Sequence, residues 1–201
     1  IAYLKETVNT SFSGLRILLD CANGASYRLG PALFTALGAE VEVIHASPDG
    51  KNINVGCGST HPEAIAQAVI EKNVHVGFSF DGDADRLIAV DEKGNIVGGD
   101  SILYICGNHL MEQGKLNHNT IVATIMSNMG FEKAALEKGM KVVRTKVGDR
   151  YVLEEMQKGG YNLGGEQSGH VIYLDHIATG DGLLTALNIL EVMQAKNATL
   201  S

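Results

Sequence analysis

Short apolar runs, each cut by a turn signal and followed by a stretch of helical spacing, recur along the whole chain. That alternation restricts the fold more than any other feature. Residues 15–20 are apolar apart from Arg16 and Asp20 and stop at Cys21-Ala22-Asn23-Gly24, a turn signal. A helical pattern covers 25–37 and closes at Gly38, and a strand pattern covers 41–45. Pro62 opens a helix reaching Lys72, in the first turn where its missing N–H costs nothing. Residues 74–80 form the next strand, and 87–91 form another that turns at 92–95 into Ile96 and Val97 as a hairpin. A helix from Asp100 to Gly114 follows. The second half repeats the pattern, with strands at 120–125, 141–145 and 161–165. Its helices fall at 130–138, 149–158 and 181–195, the last capped by Asp181. Such alternation predicts α/β layers. The expected architecture is two consecutive α/β/α domains with mainly parallel, mixed sheets, residues 1–115 and 116–201, joined at Asn117-His118-Asn119.

Composition supports packed cores and excludes several classes. Of 201 residues, 45% are hydrophobic and 19% charged, too much apolar material for a disordered chain. Lys and Arg number 16 against 23 Asp and Glu, a net charge of −7, and no basic run offers nucleic acid a docking face. No apolar stretch approaches the roughly 18 residues of a membrane span, and the first residues lack a signal-peptide layout. The expectation is a cytoplasmic protein with no nucleic-acid or membrane partner. Cys21, Cys57 and Cys106 form no disulfide framework and read as reduced, buried or half-buried thiols. The 24 glycines, set against only 3 prolines, point to tight turns and to loops that approach a ligand closely.

One such loop is Asp81-Gly82-Asp83-Ala84-Asp85-Arg86, directly after the strand at 74–80. Three carboxylates at alternate positions, separated by small residues, can close around one point. Hard oxygen ligands at the carboxyl end of a strand suit Mg²⁺. Without a cation the three would repel one another and resist full ionisation. An EF-hand starting at Asp81 would find Glu92 at its twelfth position. It places Arg86 where the sixth requires glycine, however, and its flanks here are strands. An aspartyl-nucleophile phosphatase, with Asp81 attacking phosphate and Asp83 as acid/base, is a further reading. Its strand-then-Asp-x-Asp order resembles that of haloacid-dehalogenase-like enzymes, although Asp85 stands where those carry Thr or Val.

The second loop is Gly164-Gly165-Glu166-Gln167-Ser168-Gly169-His170. It sets a carboxylate, an amide, a hydroxyl and an imidazole among glycines, and a carboxylate beside a hydroxyl suits sugar hydroxyls. With these two motifs, and with residues 52–62, 126–130 and 145–152 in support, the chain resembles the α-D-phosphohexomutase family over essentially its whole length. It looks more like the glucosamine branch than the glucose or mannose branches. The resemblance implies an isomerase, an intramolecular phosphotransferase of amino-sugar metabolism. Such an enzyme converts glucosamine 6-phosphate to glucosamine 1-phosphate through a 1,6-bisphosphate and a phosphoserine. A phosphomannomutase or phosphoglucomutase is the alternative. The resemblance also implies that the chain is the second and third of four domains. The serine would lie in a missing N-terminal domain and a phosphate-binding loop in a missing C-terminal one, so the chain alone is expected to be inactive. Its partners would be those domains and a hexosamine phosphate, with a homodimer left open for the intact protein. Ser59-Thr60-His61-Pro62 is similar to the family's Ser-His-Asn-Pro motif but lacks the Asn and lies in a different stretch.

Residue by residue, the resemblance implies Mg²⁺ on Asp81, Asp83 and Asp85, with Arg86 offering a fork of donors to the phosphoserine. Glu166 and Ser168 match residues that contact the sugar. Lys146, Asp149 and Arg150 fall where the third domain approaches substrate; read as residues alone, Asp149 starts a helix and Arg150 lies solvated on it. His170 reads as bonded within its own loop. Cys57 and His61 have a spacing that suggests metal but lack the two further ligands zinc requires. Residues 22–26 read as a strand-to-helix turn and not as a phosphate cradle.

Overall fold

A computed structural model describes residues 1–201. In chain order the elements are α1 (Ala2–Glu6), β1 (Arg16–Asp20), α2 (Ser26–Ala36), β2 (Glu40–Ile44), α3 (Glu63–Lys72), β3 (Val76–Phe80), β4 (Leu87–Asp91) and β5 (Ile96–Val97). There follow α4 (Gly99–Glu112), a 3-10 turn (Asn117–Asn119), β6 (Thr120–Thr124), α5 (Met129–Glu137), β7 (Lys141–Thr145), α6 (Asp149–Gly159), β8 (Leu163–Gly165), β9 (Val171–Tyr173) and α7 (Gly182–Lys196). Contacts gather them into two compact units, Ile1–Val97 with Gly182–Ser201, and Gly98–Asp181.

The first unit is a five-stranded sheet of order β2-β1-β3-β4-β5. Strand β1 pairs in parallel with β2 and β3, while β4 returns antiparallel to β3. Strand alternation decides which helix meets which side chain. Leu18 turns to the face where Ile65 and Val69 of α3 pack with Val74 and Val90. Leu19 turns to the other, against Gly30 of α2, which also meets Leu183 of α7. On that same face Phe34 of α2 stacks on Phe78 of β3 with ring centroids 6.2 Å apart. Helix α7 buries Leu183, Leu184, Leu187, Ile189 and Leu190, an apolar surface too broad for a helix with one dry stripe.

The second unit has a four-stranded sheet of order β7-β6-β8-β9. Strand β6 pairs in parallel with β7 and β8, and β9 returns antiparallel to β8. Val152 and Met156 of α6 cover one face over Val122 and Ile172. Gly107 of α4 lies against Ile121 and Leu163 from the other, beside α5. The two sheets share one topology: the first strand is inside, the second outside it, the third on its other side, and the fourth antiparallel to the third. In each, the reversal of winding direction falls between the first and third strands, where open α/β sheets bind ligands at the carboxyl ends.

The α/β/α architecture with mixed sheets agrees with the sequence, as do most elements. Two short pieces, α1 and β9, are additions. The junction also differs: expected at 115/116, it lies at 97/98, and residues 182–201 return to the first unit. The reason is packing. Helix α4 follows the first sheet in sequence, yet Gly107 is the flat spot that lets it sit on Ile121 and Leu163 of the second. Helix α7 follows the second sheet, yet its leucines complete the face beside α2 in the first.

Helices α4 and α5 are joined by a polar contact that can be tested. Asn128 caps α5 by accepting from the Phe131 N–H at 2.8 Å. Its own N–H and Nδ2 both donate to Asp100 Oδ2 at 2.8 Å. Asn128→Ala should cost about 2 kcal/mol, a lost cap plus a lost bond to a buried charge. Asp is normally as good a cap as Asn, but Asn128→Asp sets a second carboxylate beside Asp100. Denaturant titration should therefore show it no more stable than Asn128→Ala; a near-wild-type Asp variant would refute the pairing.

Candidate functional site

The acidic loop is the connection between β3 and β4, the third and fourth strands of the first sheet. Every residue of β3 is buried, so the strand delivers Asp81 at a fixed place. The chain then turns through Ala84, whose φ of 64° is left-handed, with the Ala84 N–H on Asp81 O at 3.1 Å. This reversal brings carboxylate oxygens of Asp81, Asp83 and Asp85 within 4.8 Å of one another. Arg86 folds back on them: its N–H donates to Asp81 Oδ1 at 3.1 Å, and its Nε lies 3.9 Å from Asp81 Oδ2 and 3.8 Å from Asp85 Oδ1. That Nε is buried and makes no hydrogen bond.

The frame around the loop is backbone. The Ala25 N–H donates to Gly82 O at 2.8 Å, and a Cβ on Gly24 would strike that same carbonyl. The Gly182 N–H, where α7 begins, donates to Ala84 O at 2.9 Å. Burial pushes the Asp81 carboxyl up to about 6, reinforced by Asp85 and Asp83 and opposed by the Arg86 N–H. The donor set is hard, acidic and convergent, with repulsion that a divalent cation would relieve. The loop fits such an ion.

The glycine-rich loop occupies the corresponding position in the second unit, between β8 and β9, where Gly165 pairs with Val171. It is a tight reversal: the Glu166 N–H donates to His170 O at 2.9 Å, and the Gly169 N–H, at a φ of 93°, to Glu166 O at 3.0 Å. Glu166 is buried, and its Oε1 accepts from the Gly148 N–H at 3.0 Å. This bond joins the loop to residues 146–150. Ser168 Oγ is buried and has no hydrogen-bond partner. His170 Nε2 accepts from the Gly180 N–H at 3.0 Å, a contact from beyond its own loop. Helix α4 supports the loop from behind, with the Gly99 N–H on Gln167 O at 3.2 Å.

Matches to known proteins agree with this geometry. Residues 1–94 match the model of phosphoglucomutase/phosphomannomutase α/β/α domain II, and residues 98–201 match that of α/β/α domain III. The chain belongs to the phosphoglucomutase/phosphomannomutase family. Among curated relatives of this family, the phosphoglucosamine mutase of Anoxybacillus flavithermus is 59% identical over all 201 residues, and that of Bacillus cytotoxicus 57%. The chain spans 45% of the length of each. Among solved structures, a Burkholderia thailandensis phosphoglucomutase/phosphomannomutase family protein superposes with a TM-score of 0.85 at 28% identity, over 96% of this chain and 43% of that one. An Aspergillus fumigatus N-acetylphosphoglucosamine mutase, solved with GlcNAc-6P and magnesium, shares the fold at a TM-score of 0.73 and 18% identity, over 98% and 50%.

Within this family fold, the residues singled out from sequence fall into two groups. Asp81, Asp83, Asp85 and Arg86 converge in the first unit. In the second, Glu166 and Ser168 share one loop, and Glu166 reaches the 146–150 segment through Gly148. The side chains of that segment are turned to local partners: Lys146 Nζ lies 5.8 Å from the Tyr151 ring centroid, and Asp149 Oδ1 accepts from the Arg150 N–H. Arg150 is 82% exposed and pairs with Glu154 at 2.7 Å on the surface of α6. The supports at Gly24, Gly99, Gly148 and Gly182 carry no chemical signal in sequence, because their part is to leave room or donate a backbone N–H.

Two outcomes follow. Asp81 is bound as a proton acceptor more tightly in the folded than in the unfolded chain between about pH 4 and 6. The metal-free protein therefore gains stability from this group as pH falls through 6 and lacks that contribution at pH 7. At pH 7 without divalent ions, Asp81→Asn should match or exceed wild-type stability by about 1 kcal/mol, and it should lack the melting-temperature rise expected of the wild type on addition of Mg²⁺. A destabilised variant would show that the carboxylate is not under strain. Gly99→Ala, whose Cβ would strike Glu166 O, should cost about 1–3 kcal/mol. It should also remove hydrogen-exchange protection at Glu166 and Gly169; unchanged protection there would mean α4 does not hold the loop.

Proposed function

We propose that this chain is the central part of a phosphoglucosamine mutase that interconverts glucosamine 6-phosphate and glucosamine 1-phosphate, with Mg²⁺ on Asp81, Asp83 and Asp85. The observation that carries this reading is the occurrence of both loops, each between the third and fourth strands of its sheet, in a chain 56–59% identical to phosphoglucosamine mutases along its whole length. Mg²⁺ held there would neutralise charge on a phosphoryl group in transfer.

The chain's own residues supply orientation and charge. The Asp81 Oδ1 contact fixes the Arg86 backbone, and the Arg86 Nε, without a hydrogen bond of its own, is free to donate to a phosphate oxygen. Ser168 Oγ, buried and unpartnered, and the Glu166 carboxylate, held at one oxygen by Gly148, are set to bond two adjacent hydroxyls of a sugar. Phosphoryl transfer depends mostly on such positioning. A bisphosphate that reorients between two half-reactions needs hydroxyl contacts that serve both poses, and a carboxylate beside a hydroxyl meets that need. The group that donates and recovers the phosphoryl, a phosphoserine, lies outside this chain in the proposed enzyme.

A phosphatase using Asp81 as nucleophile is not favoured, since Asp85 and Arg86 crowd that carboxylate.

In the longer protein that carries this segment, kcat/KM should be higher for glucosamine 6-phosphate than for glucose or mannose phosphates, and Glu166→Ala should lower it about ten- to a hundredfold. Equal or reversed preference would overturn the substrate assignment. Turnover of hexosamine phosphate by the 201-residue chain alone would overturn the placement of the donor outside it.

A further inference from the structure

A second set of metal-ligating side chains lies in the first unit, assembled from segments far apart in sequence. Asp20 ends β1, His45 directly follows β2, and Cys57 lies in the loop between β2 and α3. One donor atom from each lies within 4.8 Å of the others. Asp20 and Cys57 are fully buried, and the His45 side chain is one-third exposed.

The three donor atoms lie close together without a hydrogen bond joining His45 Nδ1 to either of the others. His45 Nδ1 is 3.0 Å from Asp20 Oδ1, yet it is buried and makes no hydrogen bond. The two atoms are close without the alignment a donated N–H requires. Asp20 is oriented by backbone donors, Ala22 N–H on Oδ1 at 2.9 Å and Gly58 N–H on Oδ2 at 3.0 Å. Such support is what a ligating carboxylate receives from its surroundings. Cys57 Sγ has Asn23 Nδ2 at 3.9 Å, a weak contact that leaves sulfur lone pairs free. Four non-glycine residues around the cluster, Ala22, Asn23, His45 and Asn54, hold left-handed φ values, a concentration of strain typical of ligand clamps.

The donor chemistry selects the ion. Imidazole and thiolate favour a zinc-like cation over Mg²⁺, which seeks oxygen. In a tetrahedral zinc site such donors stand about 3.3–3.6 Å apart, from bond lengths near 2.0 and 2.3 Å. The present spacing thus needs at most about 1.5 Å of closure. Burial and the Asp20 charge keep the Cys57 thiol protonated in the metal-free chain. A divalent ion supplies the missing positive charge, and the thiol proton leaves to solvent on ligation.

We propose that Asp20, His45 and Cys57 bind one Zn²⁺-class transition-metal ion, separately from the Asp81–Asp83–Asp85 loop. The proposal is independent of the mutase reading. Its structural consequence is local. The Gly58 N–H on Asp20, the Asn54 N–H on Ala22 O at 2.9 Å, and the packing of Ile53 and Asn54 on Gly82 connect the three ligands to the acidic loop's frame. A bound ion would stiffen that connection.

The test is titration of the 201-residue chain with Co²⁺ and Zn²⁺ in excess Mg²⁺. Co²⁺ should give a thiolate-to-cobalt charge-transfer band that saturates at a single ion per chain and is displaced by Zn²⁺. Zn²⁺ should raise the melting temperature by several degrees beyond Mg²⁺ alone. Cys57→Ser should abolish the band. His45→Asn, which tolerates the left-handed backbone, should weaken Co²⁺ binding about tenfold or more, and Asp83→Asn should change neither. Circular dichroism checks that each variant is folded, and the partly exposed His45 position keeps the test decisive should Cys57→Ser unfold. A wild-type chain without the band overturns the proposal, as does a band that survives Cys57→Ser or disappears in Asp83→Asn.

Discussion

Three carboxylates drawn within 4.8 Å of one another repel, and the first unit is organised around holding them there. The force that keeps them together is not their own. The buried strand β3 delivers Asp81, the Ala25 N–H grips Gly82 O, and the Gly182 N–H grips Ala84 O. Each of those donors belongs to an element that is itself locked by apolar packing, α2 through Phe34 on Phe78 and α7 through its leucines. The apolar core thus stabilises an arrangement that electrostatics alone would spread apart. Burial, reinforced by Asp85 and Asp83, keeps the Asp81 carboxyl raised in that arrangement.

The second unit holds its loop by the same kind of device. Gly99, at the start of α4, donates its N–H to Gln167 O and has no Cβ to strike Glu166 O. In both units a helix N-terminus distant in sequence supports the reversal between the third and fourth strands. In both, a buried polar atom without a hydrogen bond, Arg86 Nε in the first and Ser168 Oγ in the second, sits on that reversal. A folded protein rarely leaves buried polar atoms unsatisfied; these two are among several such atoms in the chain, and they fall on loops that carry polar side chains suited to phosphate and sugar.

Much of this was legible in the residues. Period-two and period-3.6 runs gave most strands and helices, since local burial patterns report the face each residue takes. The spacing Asp81, Asp83, Asp85 announced convergence because small residues between carboxylates let a turn close. What was not legible shares one property: it depends on which distant segment a local element meets. Helix α4 reads as the end of the first domain and packs in the second. Gly24 reads as a turn residue and proves to be clearance for a carbonyl 58 positions away in sequence. Cys57, weighed with nearby His61, finds its neighbours in Asp20 and His45 instead.

By itself, then, the sequence determined the α/β layering, the two motif loops, their places at strand ends and the resemblance to phosphohexomutases. These follow from short-range periodicity and from residue types whose chemistry is fixed wherever they stand. The tertiary structure alone decided where the units divide, that both loops occupy equivalent positions in one repeated topology, and that an aspartate, a histidine and a cysteine meet in the first unit. Those are matters of long-range packing. A strand can pair, and a helix can dock, only where the whole apolar surface is buried at once, and no local pattern records that choice.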